Sequence, residues 1–321
     1  MMEQKKRVVG IIGPTAVGKT ALSLAVAERL HAEIVSVDSR QVYRYMDVGT
    51  DKVSPDIRRK TIHHLLDVAM PDEVFSVADF VERSSGIVER VAARGRRTLF
   101  VGGTPFYFNA LLEGTLTKTL PKDEGVRRRI AEECDAFGNE RIFARLMEVD
   151  PVSASRLHPR DVRRVSRSLE IYELTGKTAA WWYENGEKSP SPFDVLYIGL
   201  NRPRQMLYDS IEKRVRAQFA SGFIEEVEWL LSNGFDEHFP SMQGFGYKEI
   251  LSAIKGEMSF EDAALSDIAS TKFFARKQMT WFRKFSPSVW YDTSGYTEGM
   301  QSLVEGVVTM CERFFEEGKL P

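Results

Sequence analysis

Cysteine is nearly absent: the 321 residues hold two, Cys134 and Cys311, too far apart in sequence to make a CxxC pair. That excludes a disulfide framework or a thiolate zinc site and agrees with a reducing compartment. Uninterrupted apolar runs are also missing, since none reaches the ~18 residues of a membrane span. The opening MMEQKKRVVGIIG has no apolar stretch of signal length with a small-residue cleavage site behind it. A cytoplasmic location with no membrane partner is therefore the expectation. Basic excess is lacking too: the formal net charge is -2, which does not advertise a nucleic-acid binder, although an overall balance can conceal a local patch. Repeats and low-complexity segments are absent. The length exceeds one typical domain, so a main domain carrying a smaller one is expected.

What is present begins with GPTAVGKT, residues 13–20. Gly13 and Gly18 let the backbone turn with its N–H groups inward, and the following helix presents its positive end to the same spot. Lys19 would reach terminal phosphates and Thr20 would offer its hydroxyl to a magnesium ion. The context is the required one: KRVVGIIG reads as a strand and KTALSLAVAERLHA as a helix. Further strands are read in EIVSVDS (33–39), RRTLFVGGT (96–104) and DVLYIGL (194–200), with a helix in SVADFVERSSGIVERVAARG. Runs of this kind predict a parallel sheet covered by helices on both faces.

Residues 118–190 differ in character. They are rich in Arg and Glu, carry helical spacing in EGVRRRIAEECDAFG, NERIFARLMEVD and RDVRRVSRSLEIYELTG, and show no convincing strand. This is an all-helical insertion, flanked by 1–117 and 191–321 of an α/β core. From Arg202 onward helices are expected again, with Gly222, Gly234 and Gly256 as stops and Ser259 with Asp262 as a capping pair.

The phosphate loop does not say whose phosphates it holds. Asp38 ends the second strand, where a carboxylate at the sheet's carboxyl edge can hold magnesium, accept a proton or cap the next turn. The third strand ends in Gly102, Gly103 and Thr104, which permit a bulky group to approach the backbone and weaken the case for plain ATP hydrolysis. A small-molecule kinase and a nucleotide-gated RNA-binding module both remain open at this point.

In order along the chain, GPTAVGKT, SVDSRQVYRYMDVGT, HHLLD, FSVADF, VGGTPFY, LHPRDVRRVSRSLEIYELTGK, GFIEEVEWL, QGFGYKE and ARKQMTWFR resemble the tRNA dimethylallyltransferases, or tRNA isopentenyltransferases. The likeness spans nearly the whole chain, and the zinc-finger-like extension of some eukaryotic relatives is missing, so a bacterial-type member is expected. The resemblance implies a P-loop, nucleoside-kinase-like sheet flanked by helices, with a helical tRNA-binding insertion. It implies transfer of a dimethylallyl group from dimethylallyl diphosphate to N6 of adenosine 37 beside the anticodon, with Mg²⁺ as cofactor, the tRNA anticodon stem-loop as partner and a monomeric chain.

Carried over motif by motif, Asp38 takes or orders the N6 proton. Gly13, Pro14, Thr15, Ala16, Val17, Gly18, Lys19 and Thr20 surround the diphosphate, with Thr20 as the magnesium-associated hydroxyl. Arg214 steadies the same group, and Thr104 lies in the reaction channel. Ser39, Arg40 and Gln41 match the segment touching the target nucleotide, Gln41 being a candidate for its base edge. Arg163, Arg164, Arg167, Gln243, Lys272, Arg276, Lys277 and Arg283 complete the tRNA-contacting set. Two basic runs carry most of it: 156–167, with Arg156 and Arg160, has one acidic residue, and 271–287, with Lys284, has none. An isolated run of this kind reads as a solvated face; beside a site whose acceptor is a macromolecule, it reads as a phosphate contact. His63 and His64 are assigned a structural or tRNA-facing part rather than a metal. Trp181, Trp182 and Tyr183 offer stacking surfaces or packing within the insertion.

Overall fold

In the computed structural model, residues 5–114, 120–186 and 191–318 are described. Six strands, β1 (Lys6–Ile12), β2 (Ala32–Val37), β3 (His63–His64), β4 (Arg97–Gly102), β5 (Phe193–Asn201) and β6 (Ser288–Asp292), form one sheet in the order β3-β2-β4-β1-β5-β6. Every pairing is parallel. Fourteen helices are found among the described residues: α1 (Lys19–Leu30), α2 (Pro55–Lys60), α3 (Val77–Ala93), α4 (Pro105–Leu112), α5 (Glu124–Phe137), α6 (Asn139–Val149), α7 (Pro151–Ala154), α8 (Val162–Thr175), α9 (Ala179–Asn185), α10 (Arg204–Ala220), α11 (Phe223–Ser232), α12 (Tyr247–Ile254), α13 (Phe260–Phe282) and α14 (Tyr296–Glu317).

Parallel strands need crossovers, and burying the sheet on both faces follows from placing helices there. Alternation along β1 shows the division: Val9 and Ile11 pack with Leu22 and Val26 of α1 and Val307 of α14, while Val8 and Ile12 pack with Phe80 of α3 and Phe108 of α4. A third cluster seats Val42, Tyr43 and Met46 against Phe223, Val227 and Ile250 of α11 and α12. This fixes the stretch just after β2, which carries Asp38 to Gln41. The glycine at position 102 is required where β4 ends, because a Cβ there would stand 2.1 Å from the Val37 carbonyl oxygen.

The chain divides into two compact units, Met1–Leu112 with Ser191–Pro321, and Glu113–Pro190. The first holds the sheet. Among the described residues the second contains only helices, α5 to α9, around Ile130, Ile142, Leu146, Val165 and Leu169. Ser259 caps α13 by accepting from the Asp262 N–H (3.0 Å), while Gly222, Gly234 and Gly256 follow α10, α11 and α12 with positive φ. Among the described residues no helix is long and apolar enough to cross a membrane.

Candidate active site

At the carboxyl end of β1 the chain enters the phosphate loop, and Gly18, left-handed with φ 102, opens α1. The loop forms one wall of a cavity of about 670 Å³ that also takes in Asp38 to Gln41, Gly103 and Thr104, Arg214 of α10 and Gln278 of α13. A cleft outside the carboxyl ends of parallel strands is where α/β sheets bind ligands.

Lys19 Nζ donates to the carbonyls of Gly13 (3.0 Å) and Pro14 (2.7 Å). An ammonium has three hydrogens, so one remains for a ligand. Burial, then the like charge of Arg214, lower its pKa from 10.5 to about 7, against the opposing pull of Asp38 and Asp51. Arg214 donates to the Thr15 hydroxyl (2.6 Å) and reaches the Asp51 carboxylate at 3.3 Å, while its buried Nε has no hydrogen-bond partner among the described residues. A buried guanidinium nitrogen without a partner is costly in a finished protein and ordinary in a site awaiting an anion. The Thr20 side chain is exposed at the first turn of α1 and lines the same cavity.

Of the things open to it, Asp38 is seen to do one. Its Oδ1 accepts from the backbone N–H groups of Arg40 (2.8 Å) and Gln41 (3.2 Å), capping the next turn. Its second oxygen is then left to the cavity it lines. Beside it, the Thr104 hydroxyl accepts from the Ser39 N–H at 3.2 Å, tying the end of β4 to the start of the segment after β2. On the far wall Asp267 is buried, accepts from the Thr271 hydroxyl at 3.0 Å, and has its pKa raised to about 6 by burial.

Several residues grouped by the sequence have other partners. The Gln41 amide accepts from the Ser36 hydroxyl (2.9 Å) and donates to the carbonyls of Thr50 (3.0 Å) and Asp51 (3.3 Å). Arg40 donates to the carbonyls of Pro240 (2.6 Å) and Ser241 (3.0 Å). Gln243 lines the cavity mouth and donates to the Glu237 carbonyl. Lys272 pairs with Glu212 at 3.1 Å. Arg276 and Lys277 stand over the exposed Phe273 ring, at 5.3 and 4.4 Å from its centre, and Arg283 is exposed. In the inserted unit Arg163 is exposed, Arg164 pairs with Asp161, and Arg167 grips Glu170 together with the carbonyls of Leu120 and Pro121. Trp182 donates to the Thr175 hydroxyl, whereas Trp181 and Tyr183 are exposed.

His64 lies 2.6 Å from the buried Glu33, and His63 Nδ1 lies 2.8 Å from the Thr61 carbonyl with its ring against the cavity. Among the described residues no three His, Cys, Asp or Glu groups converge to hold a metal. Motifs outside the cavity have structural reasons of their own. Glu226 of GFIEEVEWL accepts from the N–H groups of Asp47, Val48 and Gly49 and from the Tyr247 hydroxyl, and so clamps the DVGT turn. Gln278, Asp51 and Asp267 were not singled out by sequence reasoning. The signal for Gln278 was available: with Ala264, Ile268, Thr271, Ala275 and Phe282 it falls on the buried stripe of α13, a polar residue at a core position.

Six parallel strands, a glycine-rich phosphate loop and a carboxylate on the same cavity define a P-loop α/β protein of the nucleoside-kinase-like type. The IPP transferase family matches residues 41–285, more than half of the chain. The tRNA dimethylallyltransferase of Dictyoglomus turgidum is 42% identical over 89% of this chain and 87% of its own length. That of Geobacter metallireducens is 40% identical over 95% and 98%. The crystal structure of a full-length tRNA isopentenylpyrophosphate transferase from Bacillus halodurans superposes with a TM-score of 0.73 at 34% identity, covering 98% of both chains. A eukaryotic dimethylallyltransferase acting on tRNA shares the fold, with a TM-score of 0.82 at 24% identity over 98% of this chain and 81% of that one. The chain belongs to the tRNA dimethylallyltransferase family, bacterial type.

Proposed function

We propose that this chain moves the dimethylallyl group of dimethylallyl diphosphate onto N6 of adenosine 37 in tRNA, releasing diphosphate. The observation that carries the reading is the meeting of Lys19, Thr20, Arg214 and Asp38 on one cavity. The loop then holds a leaving group, and no phosphoryl group is transferred.

Adenine N6 is a weak nucleophile because its lone pair is shared with the ring. As that pair forms the bond to C1 of the allyl group, the C1–O bond breaks and its electrons leave with the diphosphate. The N6 proton passes to Asp38, whose Oδ1 is pinned by two backbone N–H groups and whose other oxygen faces the acceptor. A placed base of this kind is worth about 10²–10⁴ in rate. Lys19 and Arg214 meet charge that grows on the departing oxygens, so they act more strongly on the transition state than on the bound donor. Thr104 and Ser39 hold the Asp38 turn against the end of β4.

Magnesium fits the residues present. It needs only one or two protein oxygens when phosphates and water supply the rest, and the exposed Thr20 hydroxyl is placed to be one. Bound there with the donor, it would neutralise charge on the diphosphate. For the tRNA, the exposed Arg163, Arg276, Lys277 and Arg283 are the cations we assign to backbone phosphates; Arg40, Arg164, Arg167 and Lys272 serve the protein's own structure first. Adenosine 37 reaches the cavity by extrusion from its loop.

The test is incubation with dimethylallyl diphosphate, Mg²⁺ and unmodified tRNA, without ATP. N6-dimethylallyladenosine in the tRNA is the expected product. A strict requirement for ATP with release of ADP would replace this reading by a kinase.

A further inference from the structure

Helix α13 turns one face outward, with Phe273, Arg276 and Lys277, and the other inward, with Thr271, Ala275 and Gln278. Gln278 is 3% exposed, and both ends of its amide are engaged. Its Oε1 accepts from the Thr15 N–H at 2.9 Å, and its Nε2 donates to the Gly103 carbonyl at 2.5 Å. One side chain thus joins the phosphate loop, after β1, to the turn after β4.

We propose that Gln278 is a positioning residue of the reaction, setting the separation of these two turns and keeping the Gly103 carbonyl turned away from the anion. A backbone donor on one side and a backbone acceptor on the other require a side chain that is both acceptor and donor, which among side chains of this length an amide supplies. Glutamate would lose the donor, and methionine would fill the space with neither. The glycine at 103 has the same cause. A Cβ there would stand 2.6 Å from Gln278 Nε2 and 3.9 Å from Lys19 Nζ, so the amide occupies the room a side chain would need. Thr15 is consequently held twice, by Gln278 at its N–H and by Arg214 at its hydroxyl. Losing the amide frees a carbonyl dipole to point its negative end toward the diphosphate, beside the lysine meant to attract it. The effect falls on the donor and spares the tRNA.

This inference rests on the proposed donor site, and the experiment separates the two. Binding of inorganic diphosphate with Mg²⁺ is measured by calorimetry, and binding of tRNA by filter retention, for the parent, Gln278→Met and Gly103→Ala. KM for dimethylallyl diphosphate and for tRNA is measured alongside. Two lost hydrogen bonds and a misaligned carbonyl predict a diphosphate affinity about tenfold or more weaker in each variant, with KM for the donor rising in step. The tRNA affinity and KM should stay within about twofold of the parent, a split that mere loss of structure would not give. Gly103→Ala reaches the same contact without altering Gln278, so a misfolded methionine variant leaves the test intact. Diphosphate affinity equal to the parent's in the folded variants would overturn the proposal, as would tRNA affinity falling by the same factor. A parent that binds no diphosphate would instead refute the donor site itself.

Discussion

Lys19 carries a consequence that can be measured as protons. In the free protein its pKa is lowered to about 7, first by burial and then by Arg214. Diphosphate brings negative charge to the ammonium and favours the protonated form, so binding above pH 7 should take up a proton. With one group of pKa about 7 and binding only to its charged form, the apparent affinity follows the charged fraction and falls about 50-fold between pH 7 and pH 9. Titrating inorganic diphosphate at pH 8 in two buffers of different ionisation enthalpy reads the uptake directly. The parent should take up close to one proton more than Lys19→Met, which removes the titrating group and subtracts the ligand's own ionisation. Stability follows with its own sign: between about 7 and 10.5 the unfolded chain holds the extra proton, so this group's contribution to folding stability rises with pH across that window. Equal proton uptake by parent and Lys19→Met would refute the argument.

Gln41→Ala should weaken diphosphate binding about three- to tenfold, because it releases the Thr50–Asp51 turn whose carboxylate braces Arg214, and the salt slope of tRNA binding should not move. A change confined to discrimination at the target base would instead restore a direct contact. Arg167→Ala withdraws a partner from Glu170, 1% exposed at its side chain, and should lower urea-unfolding stability by about 1–3 kcal/mol; an unchanged midpoint would make Arg167 an ordinary surface cation. Arg163→Ala and Lys277→Ala should each reduce the slope of log tRNA affinity against log salt by up to about one unit, and slopes equal to the parent's would return both residues to a solvated face.

Legibility in the sequence tracked the distance over which each feature is decided. The β1–loop–α1 unit was readable because glycine, lysine and threonine spacing is local, and the helical character of the insertion because strand periodicity is missing over a long stretch. The edge strands were not. β3 is two residues long, and β6, SVWYD, is only partly buried, so neither leaves a clear period. Asp38 reads as a strand-end carboxylate and directly follows β2, but spacing does not reveal that one oxygen caps a turn while the other is left to the cavity. Gln41 and Arg40 show the same limit in stronger form: a polar side chain beside a site has the same letters whether it faces a substrate or its own backbone. Gln278 stayed hidden within a motif read for its basic residues, since its partners lie 263 and 175 positions away in sequence.

Asp38→Asn tests most directly the division of labour between Asp38, which takes the proton, and the phosphate loop, which holds the leaving group. Asparagine keeps the side-chain oxygen that caps the turn and loses the basicity. Single-turnover transfer from dimethylallyl diphosphate to tRNA, measured with both substrates saturating, should fall by about 10²–10⁴ while diphosphate and tRNA affinities stay within about threefold of the parent. A rate close to the parent's, or a loss of rate matched by an equal loss of binding, would contradict the assignment of Asp38 as the group that takes the N6 proton.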